Sequence, residues 1–145
     1  MKVCDTPLIN HVLQEHRFSF GVFYFFDDFI ISEIAEGVLF DWDKAFEVIS
    51  LGTDFYGTET NHLNYISNRI NDYSIKPQDW LKFLGMGKRF NIFAAVTYRS
   101  KSIPNLIIER FFYKDTIVSF DSLLEAVNFI RQKEDLVPLQ SFNEL

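Results

Sequence analysis

The sequence predicts an α/β fold with a mixed, largely parallel sheet that begins with a hairpin and continues through crossover helices. Two aromatic and β-branched runs, residues 18–26 and 29–34, are separated by Asp27 and Asp28, which favour a turn. Beyond them, segments of strand character alternate with segments of helical periodicity, an order typical of α/β proteins. Residues 90–98 are almost continuously apolar, as expected for a parallel strand that is buried on both faces.

The first half of the chain supplies the hairpin and one helix. Residues 11–17 are compatible with either a strand or a loose helix. Asp41 is expected to cap a helix whose apolar positions follow the i, i+3, i+4, i+7 spacing. Those positions are Trp42, Ala45, Phe46 and Ile49. Gly52 is predicted to end this helix, and residues 53–61 are predicted to form a loop.

The second half starts with a strand at residues 63–67, a loop at 68–76 and a helix at 77–84 that begins with proline. Residues 104–113 are harder to assign. Their Leu-Ile-Ile and Phe-Phe-Tyr strings favour a strand by propensity, whereas Pro104 and the apolar spacing favour a short helix. We predict the helix.

The last two predicted elements are a strand at residues 116–120 and a helix that starts after Asp121. Ser122 and Glu125 match the capping-box pattern at the start of that helix. The 145 residues are expected to form a single domain, with a core at about 18–132 and a tail at 133–145. The tail is expected to pack loosely or to dock on a partner.

Composition and charge exclude several classes of function. The net charge of −6 and the absence of basic runs argue against binding to nucleic acid or to an anionic membrane surface. The most apolar stretch, residues 18–34, is interrupted by three acids and predicts no membrane span. A single cysteine, Cys4, fits a reducing compartment, so we expect a cytoplasmic protein.

The 17 phenylalanines allow three interpretations. They can fill core positions that other chains give to leucine or valine. They could instead line a pocket for a small apolar ligand, or form an interface in a homodimer.

No catalytic constellation is evident. The chain has no G-x-G-x-x-G, Walker-A or G-x-S-x-G motif, so no cofactor and no enzymatic activity are expected. His11 and His16 are five residues apart and would lie on opposite faces of a strand, which argues against a metal site. Glu33 and Glu36 could act as an acid–base pair, but we interpret them as solvated acids near a strand end.

A dense polar cluster follows the predicted strand 63–67, where open α/β sheets gather their ligands and partners. The cluster is the candidate surface for a protein partner or a ligand: Asn68, Arg69, Asn71, Asp72, Tyr73 and Ser74. Its Asn and Asp residues could instead satisfy backbone groups in a turn, with Arg69 paired to Asp72. Ser67 and Ser74 are candidate phosphorylation sites.

Four strings resemble the SpoIIAA-like (STAS-type) family, small bacterial proteins related to anti-sigma-factor antagonists. They are FIISEIAEG at 29–37, YISNRINDYS at 65–74, FAAV at 93–96 and VSFDSLLEA at 118–126. The resemblance covers roughly residues 18–132 and implies a SpoIIAA-like fold.

The resemblance also implies a function. In the antagonists, a kinase phosphorylates a serine in an Asp-Ser-Ser-Gly-like run after the third strand, and this controls partner binding. At this place the chain has the longer segment 67–74 without that run. We therefore expect a non-catalytic regulatory module that binds a protein partner through residues 68–74. The alternative is a carrier of a small or lipophilic ligand, as in other members of the fold.

Overall fold

The computed structural model describes residues 1–57, 63–76, 78–79, 82, 90–98 and 117–133. The elements within these residues are two short 3-10 helices, eight strands and two complete α-helices. In chain order they are the 3-10 helices Val3–Asp5 and Pro7–His11, β1 (Gln14–Phe18), β2 (Gly21–Phe25), β3 (Ile30–Ile34), β4 (Leu39–Phe40), α1 (Trp42–Tyr56), β5 (Asn64–Arg69), β6 (Ser74–Ile75), β7 (Ile92–Thr97), β8 (Ile117–Phe120) and α2 (Leu123–Lys133).

Six of the strands form one mixed sheet in the order β1-β2-β3-β5-β7-β8. The first three strands are antiparallel neighbours, and the pairs β3–β5, β5–β7 and β7–β8 are parallel. The predicted α/β fold with a mixed, largely parallel sheet is therefore confirmed. A separate parallel pair, β4 with β6, was not predicted.

Each face of the sheet carries its own apolar layer. Val48 of α1 packs on one face with Phe23 and Ile30. The other face, with Ile31 and Ile66, is covered by α2 and by the N-terminal 3-10 helices. The central strands are thus buried on both sides, which explains the continuous apolar run in β7. No helix within the described part of the chain is long and apolar enough to cross a membrane.

The predicted strand 18–26 proves to be two different strands. Phe18 ends β1 and pairs with Gly21, and Ser19 and Phe20 form the two-residue turn between them. Of residues 11–17, which were compatible with a strand or a helix, His11 ends a 3-10 helix and residues 14–17 belong to β1. The hairpin predicted across Asp27 and Asp28 is confirmed by the antiparallel pairing of β2 with β3. The hairpin between β1 and β2 was not predicted.

Helix α1 begins where it was predicted and ends later. The Asp41 carboxylate accepts a hydrogen bond from the backbone N–H of Lys44 at 3.2 Å, which caps the helix. The helix continues past Gly52 to Tyr56 and ends at Gly57, whose φ of +65° is left-handed. The prediction that Gly52 ends the helix was wrong, because its missing side chain serves packing. A Cβ at Gly52 would lie 3.3 Å from Ile30 Cδ1.

The loop predicted at 68–76 was also wrong at both ends, since β5 extends to Arg69 and β6 occupies Ser74–Ile75. Strands β7 and β8 and helix α2 match their predictions, and Ser122 Oγ accepts a hydrogen bond from Glu125 N at 3.1 Å. Of the helix predicted at 77–84, residues 78, 79 and 82 are described, and all three are helical. The helix predicted at 104–113 and the tail after residue 133 lie outside the described residues.

Candidate functional site

The site is an aromatic cavity of about 90 Å³ between α1 and the sheet. Strand β5 forms its floor. Because side chains alternate along a strand, Tyr65, Ser67 and Arg69 all point to the α1 side. The aromatic rings in the wall come from β2, from the segment around the start of α1, and from the approach to β7 and β7 itself: Phe23, Phe40, Trp42, Phe90 and Phe93.

Three polar side chains in the lining of this cavity interact with one another: Arg69, Ser67 and Tyr73. Arg69 lines the cavity and is only 2% exposed. Its Nε donates a hydrogen bond to Ser67 Oγ at 3.1 Å, and its guanidinium lies 5.8 Å from the centre of the Tyr73 ring. The hydroxyl groups of Ser67 and Tyr73 are hydrogen-bonded to each other at 3.2 Å. The three side chains together orient a buried positive charge at the cavity wall.

Tyr65 continues the floor toward the middle of the sheet. Its hydroxyl is hydrogen-bonded to Ser32 Oγ at 2.6 Å, and its ring centre lies 4.8 Å from that of Phe90 and 5.0 Å from that of Phe93. This hydroxyl is therefore held within the sheet, and the ring is the part of Tyr65 that shapes the cavity.

Charged residues line the cavity near the start of α1. The Asp41 carboxylate caps α1, and the Lys44 N–H that it accepts lowers the pKa of Asp41, with a smaller effect from the Lys44 ammonium. Asp79 Oδ2 accepts the backbone N–H of Trp42 at 2.7 Å and lies near Lys82. Both carboxylates thus bind helix N–H groups. Lys76 adds a second positive charge to the residues around the cavity.

Asn68 lies on the opposite face of β5 and takes part in a separate buried network. Its amide nitrogen donates to Met1 O and to Glu33 Oε2, both at 2.9 Å, and its amide oxygen accepts from the Tyr98 hydroxyl at 2.8 Å. Burial raises the pKa of Glu33, and burial together with the Glu33 charge raises the pKa of Tyr98 to about 12. Glu33 was predicted to be solvated, and that was wrong because the N-terminal segment covers it.

The rest of the predicted surface ties the segment after β5 to the end of β3. Asn71 Nδ2 donates to Ile34 O at 3.0 Å, and Asp72 N donates to Glu36 Oε2 at 2.6 Å. Ser74 is exposed on β6, whereas Ser67 is buried. The six residues therefore do not share one surface. Arg69 and Tyr73 line the cavity, whereas Asn68 lies on the opposite face of β5. Asn71 and Asp72 connect the segment after β5 to the end of β3.

The sequence did not predict that these aromatic residues would come together to form the wall of one cavity. They are spread from Phe23 to Phe93, and no local pattern joins them. The high phenylalanine content was the only signal, and it is equally compatible with an ordinary core.

A second titratable cluster lies at the other end of the sheet, in the turn between β2 and β3. Asp28 faces Arg131 of α2, with Nη1 3.3 Å from Asp28 Oδ2 and 3.9 Å from Asp27 Oδ1. Burial raises the pKa of Asp28 to about 7, and the neighbouring Asp27 adds to the rise more than Arg131 opposes it. This turn therefore holds a carboxyl that titrates near neutral pH.

Among the described residues, no three His, Cys, Asp or Glu side chains are grouped so as to hold a metal ion. No protein-family model, no curated protein and no solved structure matches the chain. Its function is therefore argued from the geometry of the site.

Proposed function

We propose that the protein binds a small organic anion that carries one apolar group, and that it does so without catalysing a reaction. The observation that carries this proposal is the guanidinium of Arg69, which is buried in the wall of a largely apolar cavity. The two carboxylates of the lining, Asp41 and Asp79, each accept a backbone N–H at the start of α1, which offsets part of their negative charge. A guanidinium matches the planar, two-oxygen geometry of a carboxylate. The surrounding apolar side chains lower the local polarity, which strengthens that attraction.

The size of the cavity narrows the class of ligand. Its volume of about 90 Å³ is well below the roughly 300–1,000 Å³ of pockets for drug-sized molecules. An engineered apolar cavity of about 150 Å³ holds one benzene molecule. The apolar group is therefore smaller than a benzene ring, of the order of a short branched chain, and a long lipid chain would require α1 to move away from the sheet.

The arrangement of hydroxyl groups supports binding without catalysis. A serine nucleophile needs an adjacent general base. The Ser67 hydroxyl is hydrogen-bonded to Tyr73 and accepts from Arg69, and neither of these groups is a base at neutral pH. The cavity lining contains no histidine or cysteine among the described residues.

A SpoIIAA-like fold and a regulatory role are part of this proposal. An antiparallel hairpin that leads into parallel strands, with helices on both faces, supports the fold. One observation favours regulation through a protein partner: Ser74 of β6 is exposed, and the next two residues, Ile75 and Lys76, line the cavity. A ligand that moved β6 would change the surface around Ser74, so occupancy of the cavity could control a partner.

Titration with matched small molecules tests the ligand class. We expect isobutyrate to bind more tightly than the neutral isobutyramide, by about tenfold or more, because one hydrogen-bonded charge pair at a buried site is worth roughly 1.5–3 kcal/mol. Binding is measured by ¹H–¹⁵N chemical-shift changes, which also locate the ligand. In Arg69→Gln the preference for the anion should disappear, whereas Lys133→Gln, which removes a positive charge far from the cavity, should keep it.

A second variant separates loss of binding from loss of folding. Ala45 lies in the cavity wall on α1, and Ala45→Leu would fill the apolar part while leaving Arg69 in place. We expect Ala45→Leu to remain folded and to lose binding of both compounds. Equal affinity of the wild type for isobutyrate and isobutyramide, or shifts located outside the cavity, would contradict the proposal.

A further inference from the structure

Strand β1 is the outer strand of the sheet. It pairs with β2 on one side, and among the described residues no strand pairs with its other side. Glu15 and Arg17 are both exposed. An open edge with exposed backbone groups is a place where another strand can add.

The hairpin geometry identifies which backbone groups of β1 point outward. Phe18 and Gly21 close a two-residue turn, and the residues that close such a turn exchange backbone hydrogen bonds. Alternation then directs the N–H and C=O groups of His16 toward β2 and those of Glu15 and Arg17 away from it. Leu13, just before the strand, departs from this alternation, because its N–H donates inward to Phe25 O at 2.8 Å. The outward-facing backbone groups therefore begin at Glu15.

The two residues whose backbone groups point outward have side chains of opposite charge, so two copies of β1 can complement each other. Glu15 and Arg17 lie on the same face of β1 and form an ion pair within the strand. If a second β1 runs antiparallel with His16 opposite His16, each Glu15 lies opposite the second copy's Arg17. The four charges then alternate in sign around a square, and the outward N–H and C=O groups of both strands are paired.

We propose that β1 pairs antiparallel with β1 of a second copy of this chain, about a two-fold axis at His16, so that the two sheets become continuous. Such an interface is isologous, as in most homodimers. Charges on an edge strand usually repel other strands. Here they select this one partner and orientation, since parallel pairing in register would place Glu15 beside Glu15. Leu13, which is 59% exposed, would lie opposite the second copy's Ser19.

Charge reversal in the 145-residue chain tests the pairing. Dimerisation is measured by sedimentation velocity over a series of protein concentrations. Glu15→Arg or Arg17→Glu alone places like charges opposite each other at both contacts and should weaken the dimer by about tenfold. The double variant Glu15→Arg/Arg17→Glu restores both contacts at unchanged net charge and should dimerise like the wild type.

Mixing the two single variants tests the register. One chain then has two positive residues and the other two negative ones, so the antiparallel register favours the heterodimer over either homodimer. Circular dichroism confirms that each variant is folded, which is expected because both positions are exposed. A wild-type protein that stays monomeric at all concentrations overturns the proposal. So does a dimer that neither reversal weakens, or a mixture that forms no heterodimer.

Discussion

Arg69 and Asn68 illustrate what single residues of this chain do and why the sequence did not predict it. The sequence places two polar residues after a short apolar run, which is typical of a loop. In the structure both belong to β5, and alternation along the strand sends them to opposite faces. Asn68 is satisfied by Met1 and Glu33, which are 67 and 35 residues away. A local sequence pattern cannot predict hydrogen-bond partners that are so far away in the chain. The polar segment was therefore identified from the sequence, but the faces of the sheet to which its side chains point were not.

Asp28 is the residue whose charge state should affect stability most visibly. In the folded protein its pKa is raised to about 7, chiefly by burial, whereas an unfolded aspartate titrates near pH 4. Between these values the folded state holds a proton that the unfolded state has lost. The contribution of Asp28 to the free energy of unfolding should therefore fall as pH rises through this window, by up to about 1.4 kcal/mol per pH unit.

Replacing the Asp28 carboxyl group isolates its contribution to the free energy of unfolding. Urea unfolding of the wild type and of Asp28→Asn at several pH values between 4 and 7 gives two curves. We expect the advantage of the wild type over the variant to shrink steadily as pH rises, because the asparagine side chain has no proton to lose. The hydrogen bond with Asp28 lowers the pKa of the neighbouring Asp27. Parallel curves would mean that Asp28 titrates normally.

At the scale of elements, the sequence predicted the helices and central strands better than the places where they end. Asp41 and Ser122 cap their helices through contacts within the first turn, so the local sequence was sufficient to predict them. Gly52 and Gly57 are both plausible helix ends, and only packing distinguishes them. Gly52 lies inside the helix and packs against the Ile30 and Leu63 side chains. Gly57 adopts the left-handed conformation that ends the helix.

The first hairpin depends on a close contact that the sequence does not reveal. Gly21 opens β2 with a φ of +150°, and a Cβ there would lie 2.7 Å from the backbone oxygen of Glu33 in β3. Gly21→Ala would have to shift backbone atoms and strain its own conformation. We expect it to lower the free energy of unfolding by about 2 kcal/mol or more, measured by urea denaturation.

Gly52→Ala is the matched control for that substitution. Its added methyl group would approach the end of the Ile30 side chain, which can rotate, and alanine favours a helix over glycine by about 1 kcal/mol. The two effects oppose each other, so this variant should cost less than half of what Gly21→Ala costs. If the two substitutions cost the same, the close approach between β2 and β3 is not what Gly21 is needed for.

At the scale of the whole molecule, the N-terminal segment completes the core on the α2 face of the sheet. Residues 1–9 have little periodicity, and the sequence assigned them no element. In the structure Val3 and Leu8 are fully buried. The Thr6 hydroxyl donates to Val3 O and accepts from Leu8 N, and Val3 N donates to the buried carboxylate of Glu33. This cover depends on contacts with distant strands, so periodicity could not predict it.

Two leucines near the N-terminus measure how much this cover contributes. Leu8→Ala leaves a cavity in the layer between the sheet and α2, and we expect it to reduce the free energy of unfolding by about 3 kcal/mol. Leu13→Ala makes the same chemical change at a side chain that is 59% exposed and should alter stability by about 0.5 kcal/mol or less. Both are measured by urea denaturation at a protein concentration low enough to keep the chain monomeric. If Leu8→Ala proves as mild as Leu13→Ala, the N-terminal segment lies on a core that is already complete without it, and the burial of Glu33 must then be maintained by β3 and β5 alone.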